Sequence, residues 1–443
     1  MNSAKHWAVI GGGFLGLSLA HRLRQQGHAV TILEAAPHLG GLAAAWQLGG
    51  ITWDKHYHVI LLSDHHVQTL LRDIGLSDQF VGVETKTGFY TDGQLYSMSN
   101  SIEFLKFPPL GLFSKLRLGA TIFHASRVKD WRALERIPVV EWLTKWSGKR
   151  TFEKIWLPLL RAKLGDSYKI ASAAFIWAII ARMYAARRSG LKKEMFGYVR
   201  GGYARVLQRF AEVLTASGVE IQTDAKVQSI TPHGDGVRVE LANAEPLDFD
   251  RVIVTTATPL ASKLLPTLSP SEHARLNAIT YQGIVCASVL LKKPLANYYV
   301  TNITESWVPF TAVIEMSALV DRTEFGGNCL VYLPKYVAPD DPIFAESDDS
   351  VRERFLTALA KMYPHFQPDD VLAFQVSRVR NVFAVSTLNY SDQVPPITTS
   401  VPGVYLVNSS QILNGTLNVN ETLQLAEQAM PTLLADVESH AMA

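Results

Sequence analysis

The sequence predicts an α/β protein in which a doubly wound domain is interrupted by a second domain of α+β type. Strands and helices alternate near the start of the chain, whereas antiparallel-looking strands in series dominate later parts. The 443 residues are enough for two large interleaved units. The sequence contains no internal repeat and no low-complexity tract, either of which would indicate a different organisation.

The first strand-helix-strand unit lies at the start of the chain. His6 to Ile10 is an apolar run typical of a buried strand, and Leu17 to Gln26 has apolar residues at helical spacing. A second apolar run ends at Glu34, which completes a β-α-β unit. Lys5 and the apolar run after it imitate a secretory leader, but the matching second strand argues against that interpretation.

The remaining elements divide the chain into two interleaved domains. The pattern predicts helices at Asp64 to Gly75, Tyr203 to Ser217 and Asp349 to Met362, a hairpin turning at Asp92-Gly93, a mostly helical region from Leu105 to Gly197, β-structure from Gly283 to Leu333 and from Val371 to Val385, and a last strand at Val404 to Val407. We predict that residues 1–82, 200–284 and 396–436 form the first domain. Residues 83–199 and 285–395 form the second, with a helical part at 103–199.

Composition excludes several classes of protein. Forty-two Lys and Arg against 40 Asp and Glu leave a net charge of +2, which offers no global field to attract nucleic acid. A hydrophobic content of 48% excludes intrinsic disorder. Two cysteines, Cys286 and Cys329, cannot form a disulfide framework, so a reducing, cytoplasmic location is expected. No apolar run reaches the roughly 18 residues of a membrane-spanning helix.

A glycine-rich loop joins the first strand to the first helix. Gly11, Gly13 and Gly16 have the G-x-G-x-x-G spacing, and Glu34 ends the second strand. Gly11 permits the sharp turn, Gly13 leaves room for a pyrophosphate, and Gly16 lets the helix pack on the strand. The helix N-terminus offers free N–H groups to an anion, and Glu34 would accept hydrogen bonds from a ribose. Phe14, in the loop before the helix, is a further candidate for cofactor binding. This context predicts a dinucleotide-binding domain of Rossmann type.

A second glycine pair, Gly40-Gly41 followed by Leu42, indicates which dinucleotide binds. Here the sequence resembles the FAD-binding superfamily of flavin amine oxidases, protoporphyrinogen oxidases, phytoene-type desaturases and UDP-galactopyranose mutase, although His38 stands where an arginine is usual. The run Trp53 to His58 resembles the family element beside the flavin, with histidine where glycine is usual. The middle of the chain resembles bacterial proteins of protoporphyrinogen-oxidase-like type.

Later segments resemble the same superfamily. Val227 resembles its backbone contact to adenine. Asn408 and Ser409 stand where the closing strand normally ends in Gly-Asp, so a neutral side chain would replace the aspartate that holds the ribityl chain. The helix beginning near Asn420 would direct N–H groups at flavin O2. The resemblance implies FAD held non-covalently, since no cysteine lies near this C-terminal segment.

Candidate catalytic residues come from the histidine-rich run and from one carboxylate. His58, with His56 and Tyr57 beside it, is a candidate for proton transfer near flavin N5; the alternative for His58 is a hydrogen-bonded supporting role. Glu315 follows apolar residues in a strand, where a raised pKa would suit a general base. A salt bridge to an arginine is the alternative for Glu315.

No metal site is expected. His56 and His58 should alternate on a strand, and His65 and His66 are adjacent on a helix, so the four imidazoles do not suit one tetrahedral ion.

The position of Cys286 bears on the reaction. The amine-oxidase branch has a lysine near flavin N5, and alignment on Lys292-Lys293-Pro294 places Cys286 there, which argues against ordinary amine oxidation. We therefore predict an FAD-dependent oxidase or desaturase that takes hydride from an apolar or lipid-linked substrate to flavin N5.

Other functions remain as alternatives. They are an amine oxidase, a flavin-binding scaffold without turnover, and a non-redox flavin-dependent mutase or isomerase of a nucleotide sugar. The mutase would need arginines to hold a diphosphate, for which the candidates are Arg161, Arg182, Arg187 and Arg188.

Two segments combine apolar bulk with basic residues. Leu105 to Leu118 and Phe175 to Arg188 have the composition of interfacial helices, and helices that shield the active site would have the same composition. The sequence thus predicts either peripheral contact at the inner face of a membrane or burial, and it leaves the oligomeric state open.

Overall fold

The computed structural model describes residues 4–186 and 194–439. The strands are β1 His6–Ile10, β2 Ala29–Leu33, β3 Ala45–Leu48, β4 Ile51–Asp54, β5 Ile60–Leu61, β6 Phe80–Glu84, β7 Thr87–Thr91, β8 Gln94–Ser97, β9 Met195–Val199, β10 Glu220–Gln222, β11 Val227–His233, β12 Gly236–Leu241, β13 Leu247–Phe249, β14 Arg251–Val254, β15 Tyr281–Leu291, β16 Val300–Ile303, β17 Ala312–Glu315, β18 Cys329–Val337, β19 Val371–Ala384 and β20 Val404–Leu406. The helices are α1 Phe14–Gln25, α2 His65–Asp73, α3 Ser101–Lys106, α4 Leu112–Ala125, α5 Trp131–Leu134, α6 Val139–Ser147, α7 Lys149–Thr151, α8 Leu157–Leu164, α9 Ala173–Ala186, α10 Gly202–Ala216, α11 Thr258–Leu264, α12 Pro270–Ala278, α13 Asp348–Met362, α14 Tyr390–Gln393 and α15 Val419–Ser439.

A five-stranded parallel sheet forms the doubly wound domain. Its strand order is β10-β2-β1-β14-β20. Apolar residues of α1, α2, α10 and α15 pack on one face, and residues of β11, β12, α11 and α12 pack on the other. The structure therefore confirms the predicted Rossmann-type sheet. Helix α1 begins at Phe14, earlier than the predicted Leu17, because Phe14 and Leu15 are buried in the same core.

A second, seven-stranded mixed sheet has the strand order β19-β15-β18-β17-β16-β7-β8. Every residue of β15 is buried, and alternate side chains point to opposite faces. Val285 and Val289 pack in the core beneath α13, whereas Ile284 and Cys286 lie in the cluster on the opposite face. The sheet thus has one face devoted to its own core and one directed at the rest of the protein.

Three strands lie across or near the predicted domain boundaries. The predicted boundary at residue 284 falls inside β15, because β15 continues without interruption from Tyr281. The boundary at residue 82 falls inside β6. Strand β9, assigned to the second domain, pairs with β5 and β6 of the first.

Helices α4 to α9 form a separate cluster, and α9 is buried in it. Phe175, Ile176 and Ile180 are buried, and the indole of Trp177 donates to the Ala125 carbonyl oxygen at 3.1 Å. The Phe175 segment is therefore largely buried where it is described. Its end at Arg187 and Arg188 lies outside the described residues. Among the described helices, none combines the length and apolarity needed to cross a membrane.

Candidate active site

The glycine loop after β1 has the geometry of a dinucleotide cradle. Gly11 has φ +112°, which favours glycine, and its N–H donates to the Leu33 carbonyl oxygen at 2.9 Å. A Cβ on Gly16 would lie 1.9 Å from the Gly11 carbonyl oxygen, so α1 packs on the loop only with glycine there. A Cβ on Gly13 would find its nearest atom 3.9 Å away, at the Gly40 carbonyl oxygen. Gly13 therefore borders open space of the kind a pyrophosphate requires.

Donors and an acceptor converge on this cradle. Helix α1 has Gly13 as its N-cap and no side chain accepting from its first turn, so the N–H groups from Phe14 onward are directed into the cradle. The Phe14 ring packs in the core, 5.2 Å from the ring of Tyr203. The Glu34 carboxylate accepts from Gly12 N–H at 2.6 Å and Ala36 N–H at 2.8 Å, which fixes it at the end of β2 beside the loop.

The Gly40-Gly41 pair closes the cradle. Gly40 has φ +118°, and its N–H donates to the Gly12 carbonyl oxygen at 2.9 Å. A short 3₁₀ turn follows from Gly41, and the Leu42 carbonyl oxygen lies 3.1 Å from His56 Nδ1. Leu42 therefore connects the cradle to the histidine-rich run.

Asn408 directly follows β20 at the same edge of the parallel sheet. Its Oδ1 accepts from the Ser410 N–H at 3.1 Å and from the Ser410 hydroxyl at 2.7 Å. Its Nδ2 is buried with no hydrogen-bond partner among the described residues. Buried donors are nearly always satisfied, so this amide suits a ligand acceptor. Ser409 is half-buried next to it.

Two further predicted contacts have different surroundings. The side chain of Val227 is buried in the core next to the sheet, which leaves its backbone for the predicted adenine contact. The Asn420 side-chain oxygen accepts from the N–H groups of His66 and Val67, at 3.0 and 3.4 Å, and so caps α2. The Asn420 side chain is thus engaged, and a contact to the flavin would have to come from backbone N–H groups at the start of α15.

An aspartate that the sequence reasoning did not select lies beside His58. Asp54 ends β4, is buried, and accepts from Tyr203 N–H at 3.0 Å; its Oδ2 lies 3.6 Å from His58 Nδ1. Burial raises the pKa of Asp54, while His58 and the N–H groups of Tyr203 and Ala204 oppose that shift. The spacing of four residues between Asp54 and His58 was the available signal.

His56 is engaged at both ring nitrogens, which corrects its predicted catalytic role. Nδ1 lies 3.1 Å from the Leu42 carbonyl oxygen, and Nε2 lies 3.1 Å from the Ser377 hydroxyl. Burial lowers the pKa of His56 to about 4, so the ring is neutral at pH 7. A neutral ring with both nitrogens occupied links β19 to Leu42, in the segment Gly40 to Leu42 that we call the flavin loop, and has no free position for proton transfer.

Tyr57 belongs to a group that we call the tyrosine wall: Tyr57, Tyr332, Tyr336 and Cys286. The hydroxyls of Tyr57 and Tyr336 are 2.7 Å apart, and the Tyr332 hydroxyl donates to the Asp54 carbonyl oxygen. Burial raises the pKa of Tyr57 to about 12 and that of the Cys286 thiol well above its usual range, so both are neutral. The sequence identified Tyr57 but not Tyr332 or Tyr336.

Glu315 does not have the predicted general-base role. Its carboxylate accepts from the N–H groups of Leu295 at 3.0 Å, Ala296 at 3.0 Å and Asn297 at 2.9 Å. Its neighbour Ile314 lies in the same buried cluster as Cys286 and Tyr332 of the tyrosine wall. Because side chains alternate along β17, Glu315 points to the opposite face of the sheet. Burial raises its pKa, and the carboxylate holds the turn at residues 295–297. Among the described residues no arginine forms the alternative salt bridge with it.

The described arginines do not converge on one site. Arg182 pairs with Asp64 at 2.9 Å and lies 3.9 Å from Glu421, whereas Arg161 lies over the ring of Tyr168. Arg187 and Arg188 lie outside the described residues. The mutase alternative therefore loses the two arginines that can be located. Over residues 4–186 and 194–439, no cluster of His, Cys, Asp and Glu could hold a metal ion.

A Rossmann-type sheet with this glycine cradle defines a dinucleotide-binding protein. The tyrosine wall is formed by residues of β15 and β18 together with Tyr57, whose neighbour His56 contacts the flavin loop. Residues 16–419 match the family described as flavin containing amine oxidoreductase, and the chain belongs to that family. The family is one of FAD-dependent oxidoreductases, so the predicted cofactor and enzyme class are confirmed at the level of the family.

Curated relatives include a desaturase and a dehydrogenase. The chain is 22% identical to a 15-cis-phytoene desaturase of Glycine max over 80% of its own length and 65% of that protein. It is 23% identical to a 4,4'-diapolycopen-4-al dehydrogenase of Metabacillus indicus, over 58% of its own length and 57% of that protein. The chain thus spans less than two thirds of either relative. A triple mutant of putrescine oxidase has the same fold, with a TM-score of 0.76, 16% identity and coverage of 98% and 99%.

Proposed function

We propose that the chain is an FAD-dependent oxidoreductase, with FAD held non-covalently, that oxidises an apolar or lipid-linked substrate. The tyrosine wall carries this proposal, because it offers aromatic surface and neutral hydroxyls beside the flavin loop. The carboxylates of Asp54 and Glu315 are engaged by backbone N–H groups. The phytoene desaturase and diapolycopenal dehydrogenase relatives support a substrate of apolar type.

The cradle would hold FAD through backbone groups. Bound FAD supplies a hydride acceptor at flavin N5. The open space at Gly13 and the N–H groups of α1 suit the diphosphate, and Glu34 suits the adenosine ribose. The unpartnered Nδ2 of Asn408 would donate to the ribityl side of the cofactor.

The wall would orient the substrate and exclude water. The Tyr57–Tyr336 hydroxyl pair fixes two aromatic rings whose faces suit an apolar chain. Asp54 lies near His58 Nδ1 and would hold a proton there, which leaves His58 Nε2 as the nitrogen for proton transfer. Positioning of the donor carbon is the main contribution that such a wall makes to hydride transfer.

The reaction can be tested by anaerobic reduction of the bound flavin. Phytoene, protoporphyrinogen and other apolar hydride donors would be mixed with FAD-loaded protein beside simple amines such as putrescine and benzylamine. We expect bleaching of the flavin absorption by at least one apolar donor and none by the amines. Bleaching by the amines alone would overturn the proposal and restore the amine-oxidase alternative.

We further propose that α3 and α4 contact a membrane, at its cytoplasmic face. Leu112, Phe113, Leu116 and Phe123 line one side of α4 and are exposed, Phe113 by 74%. Ile102 from α3 extends the same exposed apolar group. Such a concentration of large apolar side chains is unusual for a surface in water and typical of an interaction site.

The charges around α4 favour an anionic lipid surface over a protein partner. Lys106, Arg127, Lys129 and Arg132 are exposed at or near the ends of the patch, and the Arg127 guanidinium lies over the Phe123 ring at 4.6 Å. Lys115 does not contribute, because it is buried and donates to the Leu105 carbonyl oxygen. Apolar insertion flanked by basic side chains is the pattern of interfacial helices.

Liposome sedimentation tests the membrane proposal. We expect the wild type to sediment with vesicles containing anionic lipid and to be released by detergent. A Phe113→Ser/Leu116→Ser double variant should stay in the supernatant. Leu260→Ser/Leu372→Ser, which alters exposed leucines elsewhere, should behave as wild type. Equal sedimentation of both double variants would contradict the proposal.

A further inference from the structure

Lys163 on α8 lies over two aromatic rings, a position that the family of the chain does not explain. Its Nζ lies 3.4 Å from the centroid of the Tyr336 ring and 5.0 Å from that of Phe383. Tyr336 in turn shares a 2.7 Å hydroxyl contact with Tyr57 of the tyrosine wall. The ammonium group is therefore next to the surface at which the proposed substrate would bind.

The backbone on both sides of Lys163 is fixed. The Thr311 hydroxyl donates to the Ala162 carbonyl oxygen at 2.7 Å, and the buried Gln282 amide donates to the Leu164 carbonyl oxygen. Both donors belong to the seven-stranded sheet or its connecting loops. Because neighbouring carbonyls are tied to that sheet, the Lys163 side chain is directed onto the rings and is not a mobile surface lysine.

No opposite charge accompanies Lys163. Among the described residues no carboxylate forms a salt bridge with it, and burial is the cause that lowers its pKa, to about 7. The nearest charged neighbours on its own segment are engaged elsewhere: Asp166 pairs with Lys169 at 2.9 Å, and Arg161 lies over the Tyr168 ring. A desolvated cation held only by aromatic rings costs stability unless a ligand supplies the counter-charge.

The wall residue that contacts Lys163, Tyr336, is neutral near pH 7 because burial raises its pKa. Burial likewise raises the pKa values of Tyr57 and Cys286 in the same wall. An anion bound beside Lys163 would favour the protonated form of the amine over the neutral form, since a nearby opposite charge raises the pKa of an ammonium group.

We propose that Lys163 binds the anionic end of an apolar substrate, most simply the carboxylate of an apolar acid. The inference rests on the proposed function, since it assigns the polar end of the same substrate. A single ammonium group matches a monoanion, and the adjacent rings of Tyr336 and Phe383 suit the alkyl or polyene chain that follows. Lys163 contacts the substrate in this account and does not take part in the oxidation.

Binding of laurate, 1-dodecanol and dodecylamine to FAD-loaded protein tests the proposal by calorimetry. The three probes share one chain and differ in the charge of the end group. We expect wild type to bind laurate about ten- to a hundredfold more tightly than 1-dodecanol, and dodecylamine least. Lys163→Met should abolish the laurate preference while 1-dodecanol affinity stays the same, and Lys163→Arg should restore part of it.

Lys361→Met provides the matched control, because Lys361 also lies over an aromatic ring, that of Trp307, at 3.9 Å, but is exposed on α13. It should leave all three affinities unchanged. Equal affinity of wild type for laurate and 1-dodecanol would overturn the Lys163 proposal while leaving the proposed function intact. Failure to bind FAD, or bleaching by simple amines alone, would instead overturn the proposed function.

Discussion

In the dinucleotide cradle, the groups offered to a ligand are backbone N–H groups of the Gly11 loop and α1, whereas in the tyrosine wall they are side chains. The cradle depends on the absence of a Cβ at Gly13 and on the turn at Gly11. The wall depends on which residues β18 and the run after β4 present to each other, as with Tyr57 and Tyr336. We therefore expect that substitutions in the cradle disturb its backbone shape, whereas substitutions in the wall replace side-chain groups and leave the backbone unchanged.

The largest effect is expected in the cradle. Gly13→Val fills the space beside the loop, so we expect FAD affinity to fall more than a hundredfold, with a colourless purified protein. Titration with FAD followed by flavin fluorescence measures this. Gly119→Val is the control, because Gly119 lies on α4 and a Cβ there would meet no atom within 4 Å. Retention of FAD by the Gly13 variant would show that the cradle does not depend on the absence of a Cβ at Gly13.

In the wall, a change of side chain should alter the reaction and leave FAD bound. His58→Ala removes the proposed proton-transfer group, so we expect flavin reduction by substrate to slow about 10²–10⁴-fold. Asp54→Asn should have a smaller effect in the same direction, because it changes only the support of Nδ1. Stopped-flow bleaching measures both, and His65→Ala, an exposed histidine on α2, is the control. An unchanged rate in His58→Ala would exclude that residue from the reaction.

The smallest effect is on stability and concerns Lys163. Its pKa is lowered from 10.5 to about 7 in the folded chain, so the unfolded chain binds more protons between these values and stability rises with pH there. Lys163→Met should therefore raise Tm at pH 6, on the order of 2 °C, with the gain shrinking by pH 9.5. Thermal melts of both proteins at the two pH values measure this; a lower Tm for the variant at pH 6 would identify Lys163 as a purely structural residue.

Much of the fold followed from local sequence patterns. The strand His6–Ile10, the hairpin with its turn at Asp92-Gly93 and the long strand from Val371 have clear apolar periodicity or turn residues, and each is present. The predicted domain boundary at residue 284 falls inside β15, which is buried along its whole length, so its sequence contains no break that would mark the start of the strand.

The site was predictable only where its residues are close in sequence. The cradle residues and Glu34 lie within one β-α-β unit, and their spacing identified them. Tyr57, in the run after β4, and Tyr336, on β18, are 279 residues apart and meet through the tertiary fold, which a single sequence does not encode locally. Glu315 was misassigned because burial of a carboxylate does not reveal whether backbone N–H groups or a ligand satisfy it.

The central claim is that the wall-side face of the seven-stranded sheet meets the flavin ring. The two cysteines test it as a matched pair, since both are buried free thiols, Cys286 on the wall side and Cys329 in the core beneath α13. The visible absorption spectrum of bound FAD would be recorded for Cys286→Ser and Cys329→Ser. We predict a shifted flavin band in Cys286→Ser and a wild-type spectrum in Cys329→Ser; a wild-type spectrum in both, or a shift only in Cys329→Ser, would contradict the account.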